Sequence, residues 1–372
     1  MDRKMLIVHV ASGVRGGGVG TVVRNLLIEQ NKAGFETAVV IKKKDLEAVT
    51  QWCEMWSLNT RIYILEKYRE HMPTLWGFVS RRNFKQIQRE HPGQKIVYHY
   101  HNPISFGLFS CCLPASRVCT IHGFVGLVSN KKISNWIFKK TIQRMVKNKV
   151  KIVGCAEKVA QYYNDLFGIN TAETIVNGVL DIEKAPNEYI ADNGKIHIGF
   201  ASWIEELKGW HILAEAFTTL PLEERAKCDL YLAGYDIERD ALDAVVESNV
   251  DITYLGKINN VQQGFLPYID ILVLPSRTEG MPMIILEALQ AGNCIVCTPV
   301  GGIPEVVEDG VSGWFIERSV ESLRDKLLFL IRNPDIRERT KKQAYEQYQK
   351  VGSSAIMADK YLKIYREISP DK

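Results

Sequence analysis

Glu279 and Glu287 flank the run Gly-Met-Pro-Met-Ile-Ile-Leu, and this segment carries the strongest chemical signal in the chain. An apolar stretch, Ile271-Leu-Val-Leu-Pro-Ser, precedes it, and a helix-forming run ending at Ala291-Gly292 follows. Gly280 permits a tight turn, and Pro282 suits the first turn of a helix, where the amide it lacks would have no partner. Glu279 therefore falls on a strand-to-helix loop and Glu287 further along the helix. Unpaired amides at a helix start favour an anion such as a diphosphate. A carboxylate beside that pocket is placed to accept hydrogen bonds from ribose or sugar hydroxyls. Either glutamate alone reads more simply as a solvated residue. Strand, turn, proline and helix together point to a site.

A second loop with binding chemistry is Gly13-Val-Arg-Gly-Gly-Gly-Val-Gly20. Its glycines, Gly17 and Gly18 among them, let backbone amides approach a phosphate or sugar closely. The dinucleotide pattern G-x-G-x-x-G is not met, because from Gly16 and Gly18 the third glycine would fall at Thr21. The second strand also runs into Lys42-Lys43-Lys44, where an NAD ribose would want an acid. No G-x-x-x-x-G-K-[ST] phosphate loop occurs. His122 ends an apolar run before Gly123 and, taken alone, reads as a satisfied polar residue. In Tyr98-His99-Tyr100-His101-Asn102, strand alternation puts His99 and His101 on one face, which invites a metal. With no acid cluster near them in sequence, none is expected. Cys294-Ile-Val-Cys297 has half the spacing of a zinc site but lies in an apolar run without a second pair, so reduced, buried thiols are expected.

The elements that must position these residues alternate along the whole chain. Short β-branched runs at 5–12, 36–41, 61–65, 95–101, 117–122 and 151–155 are separated by helical stretches at 21–33, 74–90, 132–147 and 158–167. Strands at 196–202, 228–233, 252–255, 271–275, 294–298 and 314–316 follow, with helices near 210–220, 239–247, 261–268, 283–291 and 320–331. Helical stretches at 335–349 and 354–368 close the chain. This is the pattern of parallel sheets covered by helices. The polar, aperiodic stretch 181–194 marks a boundary. The reading is α/β: an amino-terminal Rossmann-like domain over 1–180, a second over 195–352, and a carboxyl-terminal helix over 353–372 that packs back on the first. Two such doubly wound domains facing each other would form a cleft at the carboxyl ends of their strands, where these sheets bind ligands.

With 372 residues, the chain suits two domains of ordinary size. A hydrophobic fraction of 46%, a charged fraction of 24% and a net charge of +4 do not announce a nucleic-acid binder. Eight scattered cysteines are not a small disulfide framework. No apolar run approaches the roughly 20 residues a spanning helix needs, so a cytoplasmic protein is expected. The segment 131–151 contains no acid and carries Trp136 and Phe138 among its lysines. It reads either as a basic helix drawn to an anionic lipid surface or as a surface helix with Ile142, Met145 and Val146 on its own sheet.

The run Glu279–Glu287, followed by Ala288-Leu289-Gln290-Ala291-Gly292, resembles the E-x7-E signature of family 4 retaining glycosyltransferases. Thr298-Pro-Val-Gly-Gly-Ile-Pro-Glu305, Gly310-Val-Ser-Gly313, Asn177-Gly178-Val179 with Asp181, and the glycine loop match further motifs in order. The resemblance implies the GT-B architecture, two facing Rossmann-like domains with an interdomain cleft. It implies donor contacts from Gly280, Met281, Pro282, Gly17, Gly18 and Asn177. Glu287 should bind the ribose, Glu279 and His122 the donor sugar, and Lys208 the leaving diphosphate, whose growing charge an ammonium stabilises.

In one respect the chain departs from the family: Trp203 stands where it usually has an arginine, and tryptophan cannot clamp a phosphate bidentately. No D-x-D motif occurs, which fits a metal-independent enzyme without a cofactor. The expected reaction is hexosyl transfer from a UDP- or GDP-sugar to a glycan or polyprenyl-diphosphate-linked acceptor at the inner face of the cytoplasmic membrane. O-antigen, capsule or exopolysaccharide is the expected product. The rival readings are a sugar-nucleotide 2-epimerase of similar fold and a non-catalytic nucleotide-sugar-binding protein, with a dehydrogenase more distant.

Overall fold

The computed structural model describes residues 5–11, 13–15, 17–65, 76–101, 103, 116–124, 132–169 and 173–369. The chain forms two compact units, Met1–Gly178 with Ser354–Lys372, and Val179–Ser353.

The first unit is built on a six-stranded sheet of β1 (Met5–Val10), β2 (Glu36–Lys42), β3 (Thr60–Leu65), β4 (Lys95–Tyr100), β5 (Ser116–Ile121) and β6 (Lys151–Gly154), in the order β3-β2-β1-β4-β5-β6. Every neighbour is parallel. Strand β1 is buried along its whole length, as a central strand covered by helices on both faces must be. The β1–β4 register sets His9 opposite His99. The helix Gly18–Lys32 buries Val22, Val23, Leu26 and Leu27. Beside it, Val39, Ile41 and Val49 complete a cluster that Trp52 covers. Val49 and Trp52 come from the helix Leu46–Met55, an element the residue pattern does not announce. The carboxyl-terminal helix Ser354–Ile368 belongs to this unit and buries Met357, Tyr361, Leu362, Ile364 and Tyr365.

The second unit repeats the strand order. Its strands are β7 (Ile196–Ala201), β8 (Cys228–Ala233), β9 (Ile252–Tyr254), β10 (Ile271–Leu274), β11 (Cys294–Cys297) and β12 (Trp314–Phe315), arranged β12-β11-β10-β7-β8-β9. Between 261 and 268 the expected α-helix is replaced by a π turn, Val261–Phe265, and a 3-10 turn, Leu266–Tyr268. Pro267 has no N–H to carry an α ladder through this stretch. The polar segment after Val179 is held by this unit. Gln290 donates to Asp181 Oδ1 at 3.1 Å and to the Ile182 carbonyl at 3.0 Å, and Tyr268 donates to the Ala185 carbonyl at 2.5 Å.

In each unit the order reverses direction between the first and fourth strands, β1 and β4 in one, β7 and β10 in the other. The connections leaving those two strands diverge to opposite sides, and such points are where open α/β sheets bind ligands.

Candidate functional site

In the second unit the crossover holds a charged pair. Beyond β7 the chain reaches a 3-10 turn, Glu206–Lys208, and Gly209 ends it in a left-handed conformation, φ 78°. Lys208 Nζ donates to Glu279 Oε1 at 2.8 Å, and the Ser276 hydroxyl donates to the same oxygen at 2.8 Å. The Glu279 side chain is only 9% exposed and that of Lys208 21%, so solvent screens the pair little. An ammonium has three N–H donors, and the pair with Glu279 uses one of those on Lys208, so the ammonium can also face another anion while the pair stays formed.

The loop carrying Glu279 is clamped by its neighbours. Arg277 N donates to the Leu207 carbonyl at 2.8 Å, tying the loop after β10 to the one after β7. Thr298 Oγ1 donates to the Ser276 carbonyl at 2.6 Å, and Gly302 N to the Gly280 carbonyl at 2.7 Å. Gly301, at φ 58°, packs so closely on the Glu279 carbonyl that a Cβ there would overlap it. The helix Met283–Ala291 then starts from Pro282, which sits at the cap position in an extended conformation, one place ahead of the first turn expected for it. No side chain caps this helix start. Met281 and Pro282 are buried, Gly280 is half-buried, and Glu287 is half-buried in the helix's second turn.

Trp203, the departure from the resembled pattern, is 51% exposed, and its ring lies 5.8 Å from that of Tyr235, itself 50% exposed. Lys257 Nζ stands 5.1 Å from the centre of the Tyr235 ring. Two cations border the Lys208 turn. Arg277 pairs with the Glu206 carboxylate, and Arg318 Nε donates to the Pro275 carbonyl at 3.1 Å while its Nη2 reaches the Glu206 carbonyl and carboxylate. Their distance from Lys208 along the chain hid them from the sequence reading.

In the first unit the crossover is lined by imidazoles. His9 Nδ1 lies 2.8 Å from His101 Nε2, and His9 Nε2 lies 2.8 Å from Gln30 Oε1. His101 Nδ1 lies 3.3 Å from His122 Nε2. His99 stacks on His101 with ring centres 4.2 Å apart, and its nitrogens meet the Tyr365 hydroxyl at 2.6 Å and Thr120 Oγ1 at 2.7 Å. Burial drives all four rings towards neutrality, His9 and His122 down to about 4 and His99 and His101 well below the usual value. His9, His99 and His101 bring ligand nitrogens within 4.8 Å of one another, a set that could hold a metal ion. An ion there would have to displace hydrogen bonds, since every one of those nitrogens already has a partner.

The glycine loop of this unit is held by a residue the sequence reading missed. Asp45, fully buried, accepts from Gly13 N at 3.0 Å and Arg15 N at 3.3 Å. Gly17 caps the helix Gly18–Lys32 with φ 84°, and both Gly17 and Gly18 are exposed, so the helix start is open. Asn177 is buried, 4% exposed, next to Gly178, whose carbonyl accepts from Asn25 Nδ2 at 2.9 Å.

Cys294 and Cys297 are fully buried in β11, and burial pushes both thiols up, Cys294 to about 12. They serve the core. The helix Lys132–Lys147 buries Phe138, Ile142 and Met145, whereas Val146, expected on its inner face, is 46% exposed. Trp136 stands 58% exposed on that helix. No described helix is long and apolar enough to cross a membrane.

Two doubly wound parallel sheets in one chain, the second with a charged pair at its crossover beside a helix start that no side chain caps, match the GT-B class of glycosyltransferases. The family model of glycosyl transferases group 1 matches residues 181–347, and that of glycosyltransferase family 4 matches residues 16–181. The chain belongs to the family 4 type of glycosyltransferase. It is 26% identical over 336 residues to the putative glycosyltransferase EpsF of Bacillus subtilis, covering 82% of this chain and 81% of that protein. It is 35% identical over 119 residues to O-antigen chain mannosyltransferase B of Escherichia coli, a match spanning 30% of this chain and 31% of that one. Among solved structures, Anabaena Alr3699/HepE in complex with UDP superposes with a TM-score of 0.75 at 14% identity, covering 98% of this chain and 99% of that one.

Proposed function

We propose that this glycosyltransferase moves a hexose from a UDP- or GDP-sugar to a hydroxyl of a glycan or lipid-linked acceptor, with retention and without a metal cofactor. The observation that carries the reading is the Lys208–Glu279 pair, braced at the crossover of the second sheet beside the helix that bears Glu287. The bond from the anomeric carbon to the diphosphate breaks with its electron pair going to the phosphate oxygen. Lys208 offers its remaining N–H groups to that charge, an interaction that strengthens as the leaving group departs. Glu279, held by Lys208 and Ser276, orients the donor sugar, and Glu287 accepts from ribose hydroxyls. The acceptor oxygen bonds to the same carbon, and its proton passes to the diphosphate. A donor of this class is also what HepE binds, in complexes with UDP and UDP-glucose.

A lipid-linked acceptor has support from a relative named for one, a Campylobacter jejuni transferase acting on a diphospho-undecaprenol sugar. The exposed Trp136 on a helix rich in lysine gives this chain a means of meeting the membrane that holds such an acceptor. Surface polysaccharide assembly on the cytoplasmic side follows from that acceptor class.

A screen of nucleotide sugars by nucleotide release tests the reading. Glu287→Ala should lower kcat/KM for the donor about 100-fold, the order of losing a charge-assisted bond to ribose. Full activity in that variant removes the site assignment. The exposed Trp203 in place of a cation favours a second reading, a binding protein without turnover. Donor binding with neither hydrolysis nor transfer would select it.

A further inference from the structure

Two large aromatic rings stand half-exposed at the carboxyl end of the second sheet. Trp203 lies two residues past β7, Tyr235 two past β8, and Lys257 three past β9. Backbone pairing fixes their places. Ser202 N donates to the Ala233 carbonyl at 3.1 Å and Ile204 N to the Tyr235 carbonyl at 2.7 Å, so both neighbours of Trp203 are tied to the strand and loop of Tyr235. Gly234 N donates to the Gly256 carbonyl at 2.9 Å, and the Tyr254 hydroxyl to the Gly234 carbonyl at 2.7 Å, which ties in the loop of Lys257. A Cβ at Gly234 would overlap the Ser202 carbonyl, so these loops are as close as backbone allows. The ring planes are tilted by 49° with centres 5.8 Å apart, the spacing of rings in direct contact. A ligand therefore meets one angled surface rather than a slot, and a rigid surface loses little freedom on binding.

Such a surface suits a nucleobase or the apolar face of a sugar ring, and its neighbours favour the base. Trp203 and Lys208 lie on one stretch that two turns fold back, Glu205 N donating to the Trp203 carbonyl and Lys208 N to the Glu205 carbonyl at 3.0 Å each. The rings thus adjoin the place assigned to the diphosphate. The donor sugar is assigned to Glu279, past β10, and the strand order β10-β7-β8-β9 sets Tyr235 and Lys257 on the other side of β7. In a nucleotide sugar the base likewise lies across the diphosphate from the sugar. Lys257 Nζ, 5.1 Å from the centre of the Tyr235 ring, is a donor for a carbonyl oxygen such as uracil or guanine carries. The apolar face of a pyranose has no such acceptor. Resting on the nucleotide-sugar reading above, we propose that Trp203 and Tyr235 stack the base of the donor nucleotide while Lys257 donates to a carbonyl oxygen of that base. Trp203 then holds the nucleotide by its base where the family's arginine would hold it by its phosphates.

Titration of the full chain with UDP and GDP, followed by calorimetry and by indole fluorescence, tests the stack. Trp203→Ala and Tyr235→Ala should each raise the Kd of the nucleotide that the wild-type chain binds about tenfold, the order of one lost base–aromatic stack. Trp203→Phe keeps a stacking face and should retain most of the affinity. A stacked base quenches the indole beneath it, so the nucleotide should quench the wild-type chain and Trp203→Phe much less. Unchanged affinity in both alanine variants overturns the proposal, and so does a quench that Trp203→Phe leaves intact. A loss seen with UDP-glucose but not with UDP also overturns it, because the rings would then serve the sugar. Both side chains are half-exposed, so their replacement leaves the core filled. If the wild-type chain binds neither nucleotide, the donor reading itself fails. If it binds one without transfer, only the transfer fails, and the variants still judge the stack.

Discussion

The two units share a strand order and differ in what they place at the crossover. Where β7 and β10 part, the second unit keeps full charges, an ammonium and a carboxylate 2.8 Å apart with a hydroxyl on the same oxygen. Where β1 and β4 part, the first unit keeps imidazoles that burial holds neutral. The chemistry expected of each follows from that contrast. On the proposed transfer, a fixed charge would meet a diphosphate, whose negative charge grows in the reaction. A neutral ring would suit an uncharged hydroxyl, where a charge would gain little and cost its desolvation.

The comparison breaks first, and with the largest effect, at Lys208. Lys208→Ala should lower kcat by about 100- to 1000-fold, the order seen when one charge-stabilising donor is lost. It also strands Glu279, nine-tenths buried, so the melting temperature should fall as well. The double variant Lys208→Ala/Glu279→Ala separates the two roles. It should recover much of the stability and none of the turnover. Recovered turnover would mean that the pair only braces the loop, and the two crossovers would no longer differ in function.

Acid sharpens the contrast. The rings at the first crossover resist protonation when folded and accept it when unfolded. Their contribution to stability is therefore complete above the ordinary histidine value near 6.5 and is lost as pH falls towards 4. For His9 alone, moved from 6.5 to about 4, the loss reaches about 3 kcal/mol. In the second unit His211 is shifted the same way, but from a partly exposed position on the helix Trp210–Thr218. Hydrogen exchange between pH 7 and 4.5 should show β1 and β4 opening before β7 and β10. Equal loss of protection in both sheets would show that the neutral cluster carries no such burden.

Sequence made one half of this comparison more legible than the other. Glu279 and Glu287 lie in a local run whose flanking strand, proline and helix declare their setting, whereas Lys208 alone reads as a surface lysine and stands out only through the resemblance. Strand β8 and the helices Arg239–Glu247 and Met283–Ala291 have the bounds that their apolar periodicity implies. The clamps on Glu279, from Ser276, Thr298 and Gly301, are contacts between loops of different strands. At the first crossover, alternation sets His99 and His101 on one face, but His9 joins them only through the β1–β4 register, which no local pattern encodes. Gln30 lies on a helix face that reads as ordinary polar surface, and Asp45 in a lysine-rich stretch that reads as solvated. Leu46–Met55 was missed because its single fully buried residue, Val49, leaves almost no apolar stripe to detect.

The smallest effect concerns what supports the neutral cluster from the far end of the chain. Tyr365 and Tyr361, on the helix Ser354–Ile368, bond His99 and Thr120 at 2.6 Å each. Tyr365→Phe removes one hydroxyl from a fully buried contact and leaves His99 Nδ1 without its partner. The cost should be about 1–2 kcal/mol in denaturant unfolding, the order of an unsatisfied buried polar atom. Neither Tyr365 nor His99 is among the residues assigned to the donor, so kcat/KM should change less than threefold while stability falls. A large loss of turnover at unchanged stability would place the tyrosine in the working half of the cluster, and would make the carboxyl-terminal helix part of the site as well as of the fold.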